Sequence, residues 1–190
     1  MLMARKKEYS ESEVVEKAMH LFWKHGFECT SMQMLEKEMG INKFSIYSSF
    51  GNKDGVLIES LKCYKQKLNQ LIEKLHASQN GIAGIKAYFY DFVPFSQEND
   101  SSKGCLITNI TNELSADTDE RIRALLQEYT SDVRDAFLMN LSQESTDSSV
   151  ELSKQADYLL IAMFGLSSAC KVFSKTQVEN YIEQVFAKKQ

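Results

Sequence analysis

The sequence predicts an all-α fold of about nine helices, on three observations. The 190 residues hold a single proline and eight glycines, too few turn formers for a strand-and-turn chain. Apolar residues recur at helical spacing through most of the chain. Helix-entry and helix-exit residues stand at the ends of those periodic runs.

The first helix begins near Ser10, with Glu13 at capping-box spacing, and its apolar side carries Val14, Ala18, Leu21 and Phe22. His25-Gly26 ends it. Thr30 caps a second helix, Gln33 completes the same capping spacing, and Met34, Leu35 and Met39 form its apolar side. Gly40 stops that helix, because glycine takes the left-handed conformation a helix exit needs. Ile41 turns inward, and Asn42 caps a third helix of about two turns. A fourth, starting at Asn52, runs through Val56, Leu57, Leu61, Tyr64, Leu68, Leu71 and Leu75, a rod long enough to join two domains.

Asn80-Gly81 breaks the chain before an aromatic helix with Tyr88, Phe89, Tyr90 and Phe92, which Pro94 is expected to end. The polar stretch SQENDSSKG reads as a loop, and residues 105–114 as a shorter helix. Asp117, Asp119 and Glu120 favour the start of the next helix, which carries Ile122, Leu125, Leu126, Tyr129, Val133, Phe137 and Leu141. After the loop QESTDSSVE, two helices over roughly 151–173 and 176–188 close the chain. The expected division is an N-terminal three-helix domain over 1–53 and a C-terminal helical domain over 54–190.

Residues 30–53 are the most informative segment. In the third helix Ile46 and Phe50 lie four apart and point at a core, so Lys43, Phe44, Tyr47 and Ser48 face outward. A helix this short is stable only when held by its neighbours, and it therefore presents one face. Helix, glycine turn and presented helix make a helix-turn-helix, whose second helix enters the DNA major groove. Lys43, Phe44, Ser45 and Ser48 lie toward its front, within reach of base edges: lysine donates to guanine, serine suits several edges, and a phenyl ring packs on a thymine methyl. Phe44 either reads DNA or packs locally, and Tyr47 is either core or phosphate ligand. Thr30, Ser31 and Lys53 sit at helix starts, where backbone N–H groups favour phosphate. Gln33 is a phosphate or base contact, or only part of a cap. Arg5, Lys6 and Lys7 are a DNA-contacting arm or a solubilising tail.

The segment resembles the DNA-binding domain of the TetR family of bacterial transcriptional regulators, which typically reads T-S-x-x-x-I-A-x-x-A-G-V-S-x-x-x-[IL]-Y-x-x-F-x-[SN]-K-x-x-L. Thr30, Ser31, Leu35, Gly40, Ile41, Asn42, Ile46, Tyr47, Phe50, Asn52, Lys53 and Leu57 match in register. Lys37, Glu38 and Phe44 replace residues that are usually small, and Ser48-Ser49 replaces a frequent His-Tyr pair. The resemblance covers roughly the first 60 residues. It implies a phosphate contact by Tyr47, a homodimer built from the last two helices, and a C-terminal domain that takes a small-molecule effector. It also implies a repressor released from a palindromic double-stranded DNA operator, with half-sites about 34–36 Å apart or a multiple of that.

For that sensor domain, Tyr64, Tyr88, Phe89, Phe92, Tyr129, Phe137, Met163 and Phe164 could line an apolar pocket carrying a few hydroxyls; core packing is the other reading of each. Cys105, in the first turn of a helix beside Lys103, has surroundings that favour a thiolate, or else is a small buried residue. Its GCL-x-x-N-x-x-x-E-L pattern looks like a subgroup of these regulators, some of which sense electrophiles or oxidants by cysteine modification. For dimerisation the stripes are Leu152, Ala156, Leu159, Leu160 and Met163, then Val178, Tyr181, Ile182, Val185 and Phe186. Gly165, Ser167, Ser168 and Ala169 are small enough to admit another helix. Both stripes equally suit the protein's own core.

Composition narrows the rest. The net charge is −4, but residues 1–53 carry eight basic and seven acidic residues, +1, leaving −5 for the remainder, so charge does not decide against nucleic acid. Cys29, Cys63, Cys105 and Cys170 are scattered, as suits reduced cytoplasmic thiols rather than disulfides or a metal site. His20, His25 and His76 are isolated, and no phosphate loop, nucleophile elbow or HExxH motif is present, so neither an enzyme nor a cofactor is expected. No apolar run reaches membrane-spanning length, and no membrane association is expected. A helical protein-interaction module without specific DNA binding is the alternative.

Overall fold

The computed structural model describes residues 9–97, 104–143, 145 and 147–187. Among them are nine helices and no strand: α1 Glu11–His25, α2 Met32–Met39, α3 Lys43–Phe50, α4 Lys53–Ala77, α5 Gly81–Ser96, α6 Leu106–Thr111, α7 Glu120–Leu141, α8 Ser149–Ala169 and α9 Lys175–Val185. Arg5, Lys6, Lys7 and Lys103 lie outside the described residues.

The N-terminal unit packs α1, α2 and α3 against the start of α4. Ala18, Met19 and Phe22 from α1 meet Leu35 and Met39 from α2, Ile46 from α3, and Val56 and Leu57 from α4, all buried. The helix ends follow local chemistry. The Asn42 side chain accepts from the Ser45 N–H, and Asn52 accepts from that of Gly55. Gly40 sits in the left-handed region at φ 69°, closing α2. One assignment shifts: Ser31, not Thr30, caps α2, accepting from the Met34 N–H. Thr30 is fully buried instead, and its hydroxyl donates to the Gly26 carbonyl at 2.6 Å.

The 25 residues of α4 span about 37 Å at the α-helical rise and belong to both units. The first turns of α4 close the N-terminal core, and Tyr64 meets Trp23 of α1 edge-on at 5.0 Å. Below, α5, α7 and α8 continue the same core around Tyr88, Phe89, Phe92, Val133 and Phe137. Pro94 does not end α5, which continues to Ser96. Proline there forfeits only a last-turn hydrogen bond, and Phe95 is held at 5.8 Å from both Trp23 and Tyr64. The sixth helix is shorter than expected, and the last two end at Ala169 and Val185 rather than near 173 and 188.

Candidate nucleic-acid interface and effector chamber

The outward face of α3 combines charge with an uncovered aromatic ring. Phe44 is 82% exposed and Tyr47 44%, an orientation forced by the burial of Ile46 between them. The Lys43 ammonium lies 5.7 Å from the centre of the Tyr47 ring, one turn along. Ser48 is exposed beside them, and Ser45 is half-buried. Ser49 is less available: its hydroxyl pairs with that of Tyr9 at 2.8 Å. At the start of α3, the Glu36 carboxylate accepts from the Lys43 N–H, so α2 itself pins its neighbour across the turn. Gln33 is exposed and takes no part in the α2 cap. Ser31, Gln33, Lys43, Phe44, Ser45, Tyr47 and Ser48 thus remain candidate DNA contacts. Thr30 leaves the set because its side chain is buried and already bonded.

Lys53 has a structural task as well. Its ammonium donates to the carbonyls of Phe27 at 2.9 Å and Thr30 at 3.2 Å, clamping the α1–α2 turn to the start of α4. One of its three N–H bonds is left for a phosphate.

In the C-terminal unit the expected effector residues divide. Phe92, Cys105, Tyr129, Met163 and Phe164 line one narrow chamber with Thr108, Val133, Leu160 and Ser167. Its open volume is about 10 Å³, no more than one water fills. Tyr64, Tyr88, Phe89 and Phe137 are core residues, each 3% exposed or less. The buried Tyr64 hydroxyl faces the Cys105 thiol, and that of Tyr88 faces Tyr129. Cys105 does not have the environment of a reactive thiol. It is 4% exposed, and burial pushes its pKa up, against the smaller lowering effect of Tyr64 and the first-turn N–H groups. Desolvation outweighs the helix start.

The expected dimer stripes also turn inward. Leu152, Ala156, Leu159, Met163, Val178 and Ile182 are buried in the protein's own core. Leu160 lines the chamber, and Phe186 meets Phe89 edge-on at 5.0 Å. Tyr181 donates to the Ala162 carbonyl, and Val185 packs on the core's rim. The small residues of α8 receive elements of the same chain. A Cβ on Gly165 would stand 3.0 Å from the Tyr181 hydroxyl, and the Ser167 Oγ accepts from the Cys105 N–H. A different line on α8 is exposed, Tyr158, Ile161 and Ser168, and Val172 is exposed in the turn that follows the helix. Ile161 is 71% and Val172 80% exposed. The signal was present as a second apolar line on α8, hidden by the stronger buried one.

A helix-turn-helix held on a helical body with an inward-facing aromatic core defines a helix-turn-helix regulator. Residues 14–59 match the family of bacterial regulatory proteins described as tetR. Over those residues, α1, the helix-turn-helix and the start of α4, the chain is similar to the TetR family. It is 26% identical over 176 residues to an uncharacterised HTH-type transcriptional regulator, YezE, of Bacillus subtilis, covering 90% of each chain. It is 29% identical over 133 residues to the HTH-type transcriptional repressor ComR of Escherichia coli, covering 66% of this chain and 63% of ComR. In fold it is similar to the TetR family transcriptional regulator CifR, solved with 26-bp double-strand operator DNA. That likeness has a TM-score of 0.84 at 21% identity and covers 95% of this chain and 97% of CifR.

Proposed function

We propose that this chain is a homodimeric, sequence-specific transcriptional repressor that reads a palindromic operator with α3 and releases it when a small molecule occupies the C-terminal chamber. The observation that carries the reading is the α3 surface: Phe44 stands 82% exposed between Lys43 and Tyr47 on a helix whose start is fixed by Asn42 and Glu36. A large apolar ring left in solvent beside a cation suits thymine methyls and phosphates. ComR is named a repressor, and CifR was solved on operator DNA, which supports the same assignment here.

Two copies are needed because one short helix reads too few base pairs. The exposed Tyr158 and Ile161 of α8, with Val172 in the turn after it, are the proposed interface. The effector must prefer the DNA-incompetent state, and a decisive switch requires about 5.5 kcal/mol of preference. Its entry has to displace lining side chains, since the open volume is only about 10 Å³. A DNA-reading role would put the chain in the cytoplasm, with its operator.

Selection of sites from a random duplex pool tests the reading. A palindrome enriched with half-sites one or two helical turns apart is expected; no enrichment at low salt returns the chain to a helical interaction module.

A further inference from the structure

The pattern Gly104-Cys105-Leu106-x-x-Asn109-x-x-x-Glu113 has a structural meaning in which the thiol is not the central group. Three of its residues bond to α1 or to the turn that follows it. The Trp23 indole N–H donates to the Gly104 carbonyl at 3.1 Å. The Asn109 side-chain amide donates to the Trp23 carbonyl at 3.5 Å. One oxygen of the Glu113 carboxylate accepts from the backbone N–H groups of both Phe27 and Glu28, each at 2.8 Å. Those N–H groups lie in the turn leading into α2 of the helix-turn-helix. The fit is close: Gly26 has φ 79°, and a Cβ there would stand 2.3 Å from the other Glu113 oxygen.

We propose that Glu113 is an interdomain latch, a positioning residue that holds the helix-turn-helix in its operator-binding orientation and lets go when α6 moves. The inference rests on the regulator reading for its operator half only. Its geometry joins two ends of one short element. At the front of α6, Cys105 and Thr108 line the chamber, and the Cys105 N–H is tied to Ser167 of α8. At the back, just past Thr111, Glu113 grips the turn. The six residues of α6 are too few to bend, so an occupant that pushes the front displaces the back. Charge-assisted hydrogen bonds at 2.8 Å weaken steeply with stretching, and because both bonds share one acceptor oxygen they fail together. The turn then keeps the Lys53 clamp, the Thr30 hydroxyl bond to the Gly26 carbonyl and the Phe22–Phe27 ring contact, which fix it to α4 and α1 and not to the sensor core.

Amide hydrogen exchange on the full-length protein tests the latch without DNA. In Glu113→Ala the Phe27 and Glu28 amides are expected to exchange about tenfold faster, while the Gly40 amide, bonded to Glu36 at the end of α2, keeps its rate. Glu113→Gln, which retains a neutral acceptor, gives a smaller change at the same two amides. Gly26→Ala, which displaces the carboxylate from the other side, accelerates them again and covers the case in which an Glu113 variant folds poorly. On a site selected by the wild type, Glu113→Ala binds about tenfold more weakly. Unchanged exchange at Phe27 and Glu28, or equal acceleration at Gly40 in every variant, overturns the latch. Accelerated exchange with unchanged operator affinity overturns its positioning role. A wild type that selects no site overturns the regulator reading, and the exchange experiment still decides the latch.

Discussion

The Lys53 ammonium donates to the Phe27 carbonyl at 2.9 Å while lying 4.1 Å from the centre of the same residue's ring. Cation, carbonyl and aromatic face thus fix one turn from one side chain, and the Thr30 carbonyl adds a third anchor. Lys53→Met keeps the aliphatic stem and removes all three polar contacts. We expect a loss of about 1–2 kcal/mol in stability, since two half-buried carbonyls lose their donor. Lys53→Arg recovers little, because a planar fork does not reproduce a compact three-donor cation. Urea unfolding checks this; an unchanged midpoint for Lys53→Met would make Lys53 a phosphate ligand only.

Phe44 and Lys43 separate binding from folding. Phe44 is 82% exposed, so Phe44→Ala leaves the melting temperature nearly unchanged. On the selected operator it costs about 1–3 kcal/mol if the ring covers a thymine methyl. Lys43→Ala reduces the slope of log affinity against log salt by about one if the ammonium meets a phosphate. Fluorescence anisotropy across a salt series resolves both. A Phe44→Ala variant that melts early yet binds normally would assign the ring to packing.

How far the sequence could be read depended on whether a residue's task was local. Asn42, Gly40 and Asn52 cap or end helices through neighbours three or four residues away, so spacing alone revealed them. Ile46 buried and Phe44 exposed follow from one helical turn. Thr30 was misplaced because two adjacent hydroxyls compete for one cap, and only the tertiary position of the Gly26 carbonyl decides between them. Pro94 was read by its own rule, whereas the aromatic contacts of Phe95 hold the last turn. The α8 stripes failed for a related reason. A helix with two apolar lines buries one, and the chain does not say which. Glu113 was legible as part of a pattern, but its partners lie 86 and 85 residues away.

The dimer interface can be assigned by opposed substitutions. Ile161 is 71% exposed and Leu159 3% exposed, two residues apart on α8. Ile161→Glu is expected to yield a monomer in light scattering while keeping its helicity, because the charge lands on the exposed line of α8. Leu159→Ala instead removes buried volume and costs about 2–5 kcal/mol of stability without selecting against the dimer at low temperature. An Ile161→Glu protein that remains a dimer would place the interface elsewhere.

The thiols and phenols predict the alkaline limit of the fold. Burial raises the pKa of Cys105, of Cys170, and of Cys63, where the Glu16 charge adds to it. It also holds the Tyr64, Tyr88 and Tyr129 phenols above their usual range. Each group is therefore bound to its proton more tightly in the folded state than in the unfolded one. Stability from this source is complete below the ordinary thiol value of 9.0 and is lost as pH climbs through the raised values. The unfolding free energy should stay level from pH 7 to 8.5, decline above about 9, and fall faster above about 10, where unfolded phenols ionise. Cys105→Ala should reduce the first part of that decline and leave the second. The same burial orders alkylation by iodoacetamide at neutral pH: Cys29, which is exposed, reacts first, Cys63 follows, and Cys105 and Cys170 react last. Mass spectrometry of a time course reads the order. Early modification of Cys105 at pH 7 would overturn its assignment as a buried neutral thiol and return it to the role of sensor.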